Sequence, residues 1–260
     1  MKSSTFAANA TPFAPGRSTV TSGNVTVDLV NRLGFDIVTG RVDQGALLPN
    51  EAEMSLAYGV GRSAVREAVK MLAAKGLVNT RPRRGTQVNP TGDWNLLDAE
   101  VLFWLRQAPP DRRTIVELIE LRLGFEPEAA ALAARKGRVA RIADIRRAYE
   151  LMESAGPGTV DPVEADCRFH EAVLAATENR FYQPLGSLVR TALSLTAPVT
   201  NALFGHSVGD LEAHRDILVA IEAHDDALAY DRVRRLLRSL VNAVEHAEKL
   251  PASSTMTRRA

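Results

Sequence analysis

The chain has 260 residues, 45% of them hydrophobic and only 5% aromatic, which supports one large core or two small ones. It contains no run of 18 apolar residues, which excludes a membrane-spanning helix and argues against a membrane partner. The formal net charge of +1 conceals an uneven distribution.

Residues 25–92 hold nine basic and six acidic side chains, whereas 93–250 hold 19 basic and 25 acidic. Between Gly61 and Val88, seven Lys/Arg stand against a single acid, Glu67. A basic island in an acidic chain points to a polyanion-binding module joined to something else. The lone Cys167 excludes a disulfide framework and a cysteine-based zinc site, and fits a cytoplasmic location.

In chain order, 1–23 is rich in Ser, Thr, Ala, Pro and Gly, without periodicity and without the apolar stretch of a secretory signal. It is expected to be a disordered tail, as is 251–260. Residues 24–88 are expected to form one small domain. Leu29, Val30, Leu33 and Ile37 recur at helical spacing, and Gly40 ends that helix. Asn50 with Glu53 three residues on is a capping-box start for a second helix over 51–58. A third helix over 62–75, ended by Gly76, would bury Val65, Ala68, Val69 and Leu72 and expose Arg62, Ser63, Arg66 and Lys70. Short extended runs over 77–81 and 86–88 flank Pro82-Arg83-Arg84-Gly85, a hairpin with an arginine-bearing tip. Three helices and a hairpin at this spacing predict a winged helix-turn-helix.

A linker over 89–94 follows, and then only helical periodicity. Segments are expected at 95–107, 112–136, 139–154, 162–177, 180–201, 209–224 and 227–249, with Pro127 kinking the second. The fold class is therefore mainly α: a winged helix-turn-helix, then an all-helical domain over 95–250.

The third helix suits the DNA major groove, where Arg62 and Arg66 lie one turn apart near its start. An arginine fork can bond guanine O6 and N7 together. Ser63 and Lys70 share that face, while Arg81, Arg83 and Arg84, around the slim Gly85, suit phosphates. The expected partner is a double-stranded DNA operator.

The runs Leu47-Leu48-Pro49-Asn50-Glu51-Ala52-Glu53, Gly59-Val60-Gly61-Arg62-Ser63-Ala64-Val65-Arg66-Glu67-Ala68 and Arg84-Gly85-Thr86 resemble the GntR family of bacterial repressors. Two positions depart from its pattern. Gly61 replaces the usual Ser or Thr, removing a helix cap, and Ala52 stands where some relatives carry a base-reading arginine. The helical domain resembles the FCD effector domain of the FadR-type subgroup, whose signature is a carboxylate and histidines reaching inward from several helices. The resemblance implies that Asp166, His170 and His214 hold one divalent ion, of Zn, Ni, Fe or Mn type. Leu236 stands where many metal-binding relatives have a further His. The resemblance also implies that Arg122, with Glu126 beside it at i, i+4, meets an effector's carboxylate. The stretch Trp94–Trp104 is similar to the domain junction of the family's sugar-acid regulators. That implies a sugar-acid effector, with Thr191 and Asn201 serving its hydroxyls, and a homodimeric repressor released by that effector rather than an enzyme. Two rivals remain open on sequence alone: a helical domain that only dimerises, and a non-haem metal enzyme built on two His and a carboxylate.

Overall fold

A computed structural model describes residues 24–107, 111–205 and 209–249. The tails expected at 1–23 and 251–260 lie outside the described residues. The chain divides into two compact units, one ending near residue 108 and the other following it.

The first unit is built on α1 (Val25–Val38), α2 (Glu51–Tyr58) and α3 (Arg62–Ala74). Local chemistry sets the boundaries. Asn50 accepts from the backbone of Ala52 and Glu53 while Glu53 returns to the Asn50 N–H, the reciprocal cap expected from the sequence. Gly59 closes α2 in the left-handed region at φ 65°. Helix α3 starts at Gly61 without any side-chain cap. The wing pairs β1 (Val78–Arg81) with β2 (Gly85–Val88), antiparallel, with Val78 opposite Val88. Leu33, Ile37, Met54, Val65, Leu72 and Leu77 fill the core beneath.

Helix α4 (Ala99–Leu105) departs from the expected domain boundary. The sequence places 95–107 with the helical domain; the structure packs it on α1. Trp104 is fully buried in the first unit's core, and its Nε1 lies 3.3 Å from Asn31 Oδ1. A Cβ on Gly34 would stand 2.4 Å from the Trp104 ring, so the ring occupies the hollow that this glycine leaves in α1. Lys75, at the end of α3, binds Asp98 at 2.9 Å and Glu100 at 2.5 Å. The 89–94 segment is therefore a structured strap rather than a free linker. It contains a single 3-10 turn, Thr91–Asp93, whose Asp93 carbonyl lies where a Cβ on Gly76 would be.

The second unit is all-helical: α5 (Arg112–Leu123), α6 (Glu126–Lys136), α7 (Val139–Glu153), α8 (Pro162–Ala176), α9 (Leu185–Phe204), α10 (Leu211–Glu222) and α11 (Asp226–His246). The single kinked helix expected over 112–136 is two helices. The break falls at Gly124–Phe125, and Pro127 sits in the first turn of α6, where its missing N–H breaks no hydrogen bond. Helix α8 lies inside, with Ala165, Phe169, Val173 and Leu174 buried against its neighbours. At one end, the Arg112 guanidinium donates to the carbonyls of Val244, Glu245 and Ala247, the last two at 3.0 and 2.6 Å. This satisfies acceptors that the end of α11 would otherwise leave open.

Candidate metal and effector site

Four helices of the second unit bring five ionisable side chains together out of solvent. Arg122 comes from the last turn of α5, Glu126 from the start of α6, Asp166 and His170 from α8, and His214 from the first turn of α10; each is at most 4% exposed. The i, i+4 spacing puts Asp166 and His170 on one face of α8. Phe169 stands edge-on to both imidazoles, at 5.7 and 5.0 Å between ring centroids, and limits their rotation.

The hydrogen bonds fix both tautomers. His214 Nδ1 lies 2.6 Å from the Asp210 backbone carbonyl, which can only accept. His170 Nδ1 lies 2.9 Å from Glu126 Oε2. With both Nδ1 atoms donating, the neutral rings turn Nε2 lone pairs toward each other and toward Asp166. His170 Nε2, His214 Nε2 and Asp166 Oδ1 form a triangle with edges of 3.2, 3.2 and 3.3 Å. Ligands at tetrahedral angles with bonds of ~2.0–2.1 Å would be spaced about 3.3 Å apart. Asp166 Oδ1 is buried with no donor aligned on it. A Cβ on Gly209 would stand 3.2 Å from Asp166 Oδ2 and 3.3 Å from His214 Cε1, so a larger residue here would crowd both ligands. The donor set fits a divalent cation of the Zn type. Glu126 behind His170 and the Asp210 carbonyl behind His214 serve as the outer partners that orient ligating imidazoles.

Arg122 closes the other side. Its Nε and Nη2 donate to Glu126 at 2.6 and 3.2 Å, its Nη2 lies 3.1 Å from His170 Nε2, and its Nη1 is buried without a partner. Burial alone would raise the carboxylates' pKa values. For Glu126 the Arg122 guanidinium and His170 outweigh burial and hold it at about 2. For Asp166, His170 and His214 donate from Nε2 only when protonated, and in that form they outweigh burial and hold it well below the usual carboxylate range. Burial pushes His170 down, but Glu126 outweighs it and the net shift is upward. The signs give a pH prediction for metal-free protein. A carboxylate with a lowered folded pKa stabilises above its unfolded value and loses that contribution as pH falls. For Glu126 the loss runs from about 4.5 down to about 2. His170 works the other way: its contribution is complete below about 6.5 and fades as pH rises through the higher folded value. Urea unfolding of chelator-treated protein across roughly pH 3 to 9 should therefore show stability falling on both sides of an intermediate maximum. A flat profile would contradict the ionic assignment.

A small, partly open cavity of about 40 Å³ adjoins the triad. Leu193, Thr196, Ala197, Thr200, Asn201 and Phe204 of α9 line one wall, and Leu236, Ser239 and Leu240 of α11 another. Asp166, His170, His214, Arg122 and Asn201 thus meet at one cavity. Two expected effector contacts do not. Thr191 turns away and donates to the Ser187 carbonyl at 2.9 Å, and Glu126 lies behind Arg122 rather than on the cavity wall. Sequence reasoning missed Thr196, Thr200 and Ser239. For the α9 pair a signal was present: small and polar residues at 196, 197, 200 and 201 share one face of the helix.

In the first unit, Arg62, Ser63, Arg66 and Lys70 are exposed on α3, and Arg81, Arg83, Arg84 and Gly85 are exposed on the wing. Arg66 pairs with Glu51 at 2.7 Å and Lys70 with Glu67 at 2.8 Å. Arg83 takes φ 63° at the tip of the turn closed by Arg84 N–H to the Arg81 carbonyl, a conformation that favours glycine.

The family model for bacterial regulatory proteins of the gntR family matches residues 26–88, and the FCD domain model matches 117–239. The HTH-type regulator YieP of Escherichia coli K12 is 33% identical over 83% of this chain and 94% of its own length. The chain belongs to the GntR family. As a GntR-family member it is a DNA-binding transcriptional regulator, and its relatives are regulators rather than enzymes. The galactonate operon transcriptional repressor of E. coli K12 is 32% identical over 83% of this chain and 95% of its own length. Among solved structures, one titled for Lar, which controls expression of the Listeria monocytogenes agr system, covers 89% of this chain and 100% of its own at a TM-score of 0.52. Its 19% identity speaks to the fold alone. In this GntR chain the gntR match spans α1 to β2, and the FCD match contains every residue of the buried site.

Proposed function

We propose that this GntR-family regulator is a homodimeric, cytoplasmic repressor of a sugar-acid catabolic operon, released when the helical unit binds a divalent metal and a small carboxylate. The observation that carries the reading is the pair of buried orphans facing one cavity: Arg122 Nη1, a donor without an acceptor, and Asp166 Oδ1, an acceptor without a donor. Unpaired buried polar atoms cost free energy, and a carboxylate for the one with a cation for the other relieves both. The metal, when bound at Asp166, His170 and His214, supplies a Lewis-acidic docking point for an oxygen ligand. Thr196 and Asn201 offer partners to hydroxyls, and Thr200 and Ser239, whose own hydroxyls donate to the Thr196 and Leu236 carbonyls, offer accepting lone pairs. A sugar acid is larger than the 40 Å³ cavity, so the wall must open to admit it. That movement supplies two states with different effector affinity, which any induced release requires.

On the DNA side, Arg62, Ser63, Arg66 and Lys70 read the major groove, and Arg81, Arg83 and Arg84, set by Gly85, hold the phosphates. Arg66 has to exchange Glu51 for DNA, whereas Arg62 and the wing arginines pair with no acid among the described residues.

The test is thermal unfolding against a panel of aldonates, uronates and fatty-acyl compounds, with and without chelator. A ligand at 100 times its dissociation constant should stabilise by about 2.7 kcal/mol. One aldonate or uronate should raise the transition, and chelation should abolish that rise. A shift that survives chelation would remove the metal from the reading. No shift with any compound would leave a helical unit that only dimerises.

A further inference from the structure

Arg122 sits on the atom that a metal would need. His170 Nδ1 is committed to Glu126 at 2.9 Å, so a cation reaches this ring only through Nε2. The Arg122 Nη2 stands 3.1 Å from that same Nε2. One lone pair cannot serve a guanidinium proton and a metal ion together. The two are also like charges in a site with little water to screen them. Arg122 has somewhere to go. Its Nε is tied to Glu126 at 2.6 Å, its Nη1 has no partner, and the cavity is partly lined by Arg122 itself. Turning about the tethered Nε gives up the longer Nη2–Glu126 contact at 3.2 Å and carries Nη1 and Nη2 off His170 and into the cavity.

We propose that Arg122 is a gate on the Asp166–His170–His214 triad: it rests on His170 while the triad is empty, and a divalent cation displaces it into the cavity, where it is free to bind a carboxylate. This rests on the metal reading above and adds an order to it. The cation arms the site, and the anion follows. Linkage requires the converse as well, so a carboxylate that holds Arg122 in the cavity strengthens cation binding. Leu236 suits this arrangement, because a fourth protein ligand would leave the cation less in need of the effector.

The test needs no knowledge of the effector. Full-length chelator-treated protein is labelled with glyoxal, which modifies accessible guanidinium groups, and the modified arginines are mapped by mass spectrometry. Without metal, Arg122 should be protected while exposed Arg62 reacts. Saturating Zn²⁺ should speed Arg122 labelling by at least about tenfold, the scale of losing one charge-assisted hydrogen bond. It should leave Arg62 unchanged. Chelator should reverse the effect, and D166N should abolish it. Zn²⁺ binding, measured separately by competition with a fluorescent chelator, distinguishes the failures. Bound Zn²⁺ with Arg122 still protected overturns the gate and leaves the metal site standing. Absence of Zn²⁺ binding overturns both. Metal-free Arg122 reacting as fast as Arg62 overturns the gate alone.

Discussion

Glu126→Ala should destabilise the helical unit by about 3–5 kcal/mol, the usual consequence of stranding one partner of a buried ion pair. Arg122 and Glu126 are 1% and 3% exposed, so the guanidinium left behind would lose its counter-ion where little water reaches it. The loss extends further, because Glu126 also receives the His170 Nδ1–H. Glu126→Gln keeps one accepting oxygen but turns its NH2 toward the other donor, Arg122 Nε or His170 Nδ1, so it should also destabilise, while leaving no cavity. The double replacement Arg122→Met with Glu126→Leu should cost less than either charge deletion alone, since well-packed apolar side chains often replace a buried pair with little penalty. Urea unfolding of the metal-free variants, followed by helical circular dichroism, gives the cycle. A Glu126→Ala protein within about 1 kcal/mol of the parent would mean that the pair is solvated in solution.

Gly34→Ala should weaken the DNA-binding unit by about 1–3 kcal/mol, the range for overpacking a filled core. The added methyl would stand 2.4 Å from the Trp104 ring, and a rigid indole pinned inside the core has little room to retreat. The compensating change identifies the cause. Trp104→Ala alone should cost about 3–5 kcal/mol, but combined with Gly34→Ala the two penalties should fall short of their sum. Additive penalties would show that α4 does not rest on Gly34. Loss of α4 from α1 should also loosen Lys75 from Asp98 and Glu100, so operator affinity is expected to fall along with stability.

The first unit was largely legible because its signals are local. Asn50 and Glu53 lie three residues apart, Gly59 and Gly76 stop helices, and the Pro82–Gly85 turn separates two short strands. The attachment of α4 was not, because it depends on Gly34 and Trp104, 70 residues apart, and nothing in periodicity couples a missing side chain to a distant ring. In the second unit, the i, i+4 pairs at 122/126 and 166/170 were visible, yet their convergence with His214 rested on family resemblance. The Glu126–His170 contact, across 44 residues, escaped altogether. Thr191 was misjudged because it lies off the α9 face that brings Leu193, Thr196, Ala197, Thr200, Asn201 and Phe204 to the cavity. The helix break at Gly124–Phe125 was placed at Pro127 instead, because a proline breaks a helix interior but is well tolerated in a first turn.

The Arg112 clamp has a topological consequence. By holding the carbonyls of Glu245 and Ala247, the first residue of α5 brings the entrance and the exit of the helical unit to one point. A bundle whose ends meet can be opened elsewhere and rejoined there, because a few residues bridge the old termini and no helix is rerouted. The turn around Gly156 and Gly158, between α7 and α8, is a natural place for new ends. The order of its helices along the sequence is thus a matter of ancestry more than of mechanics.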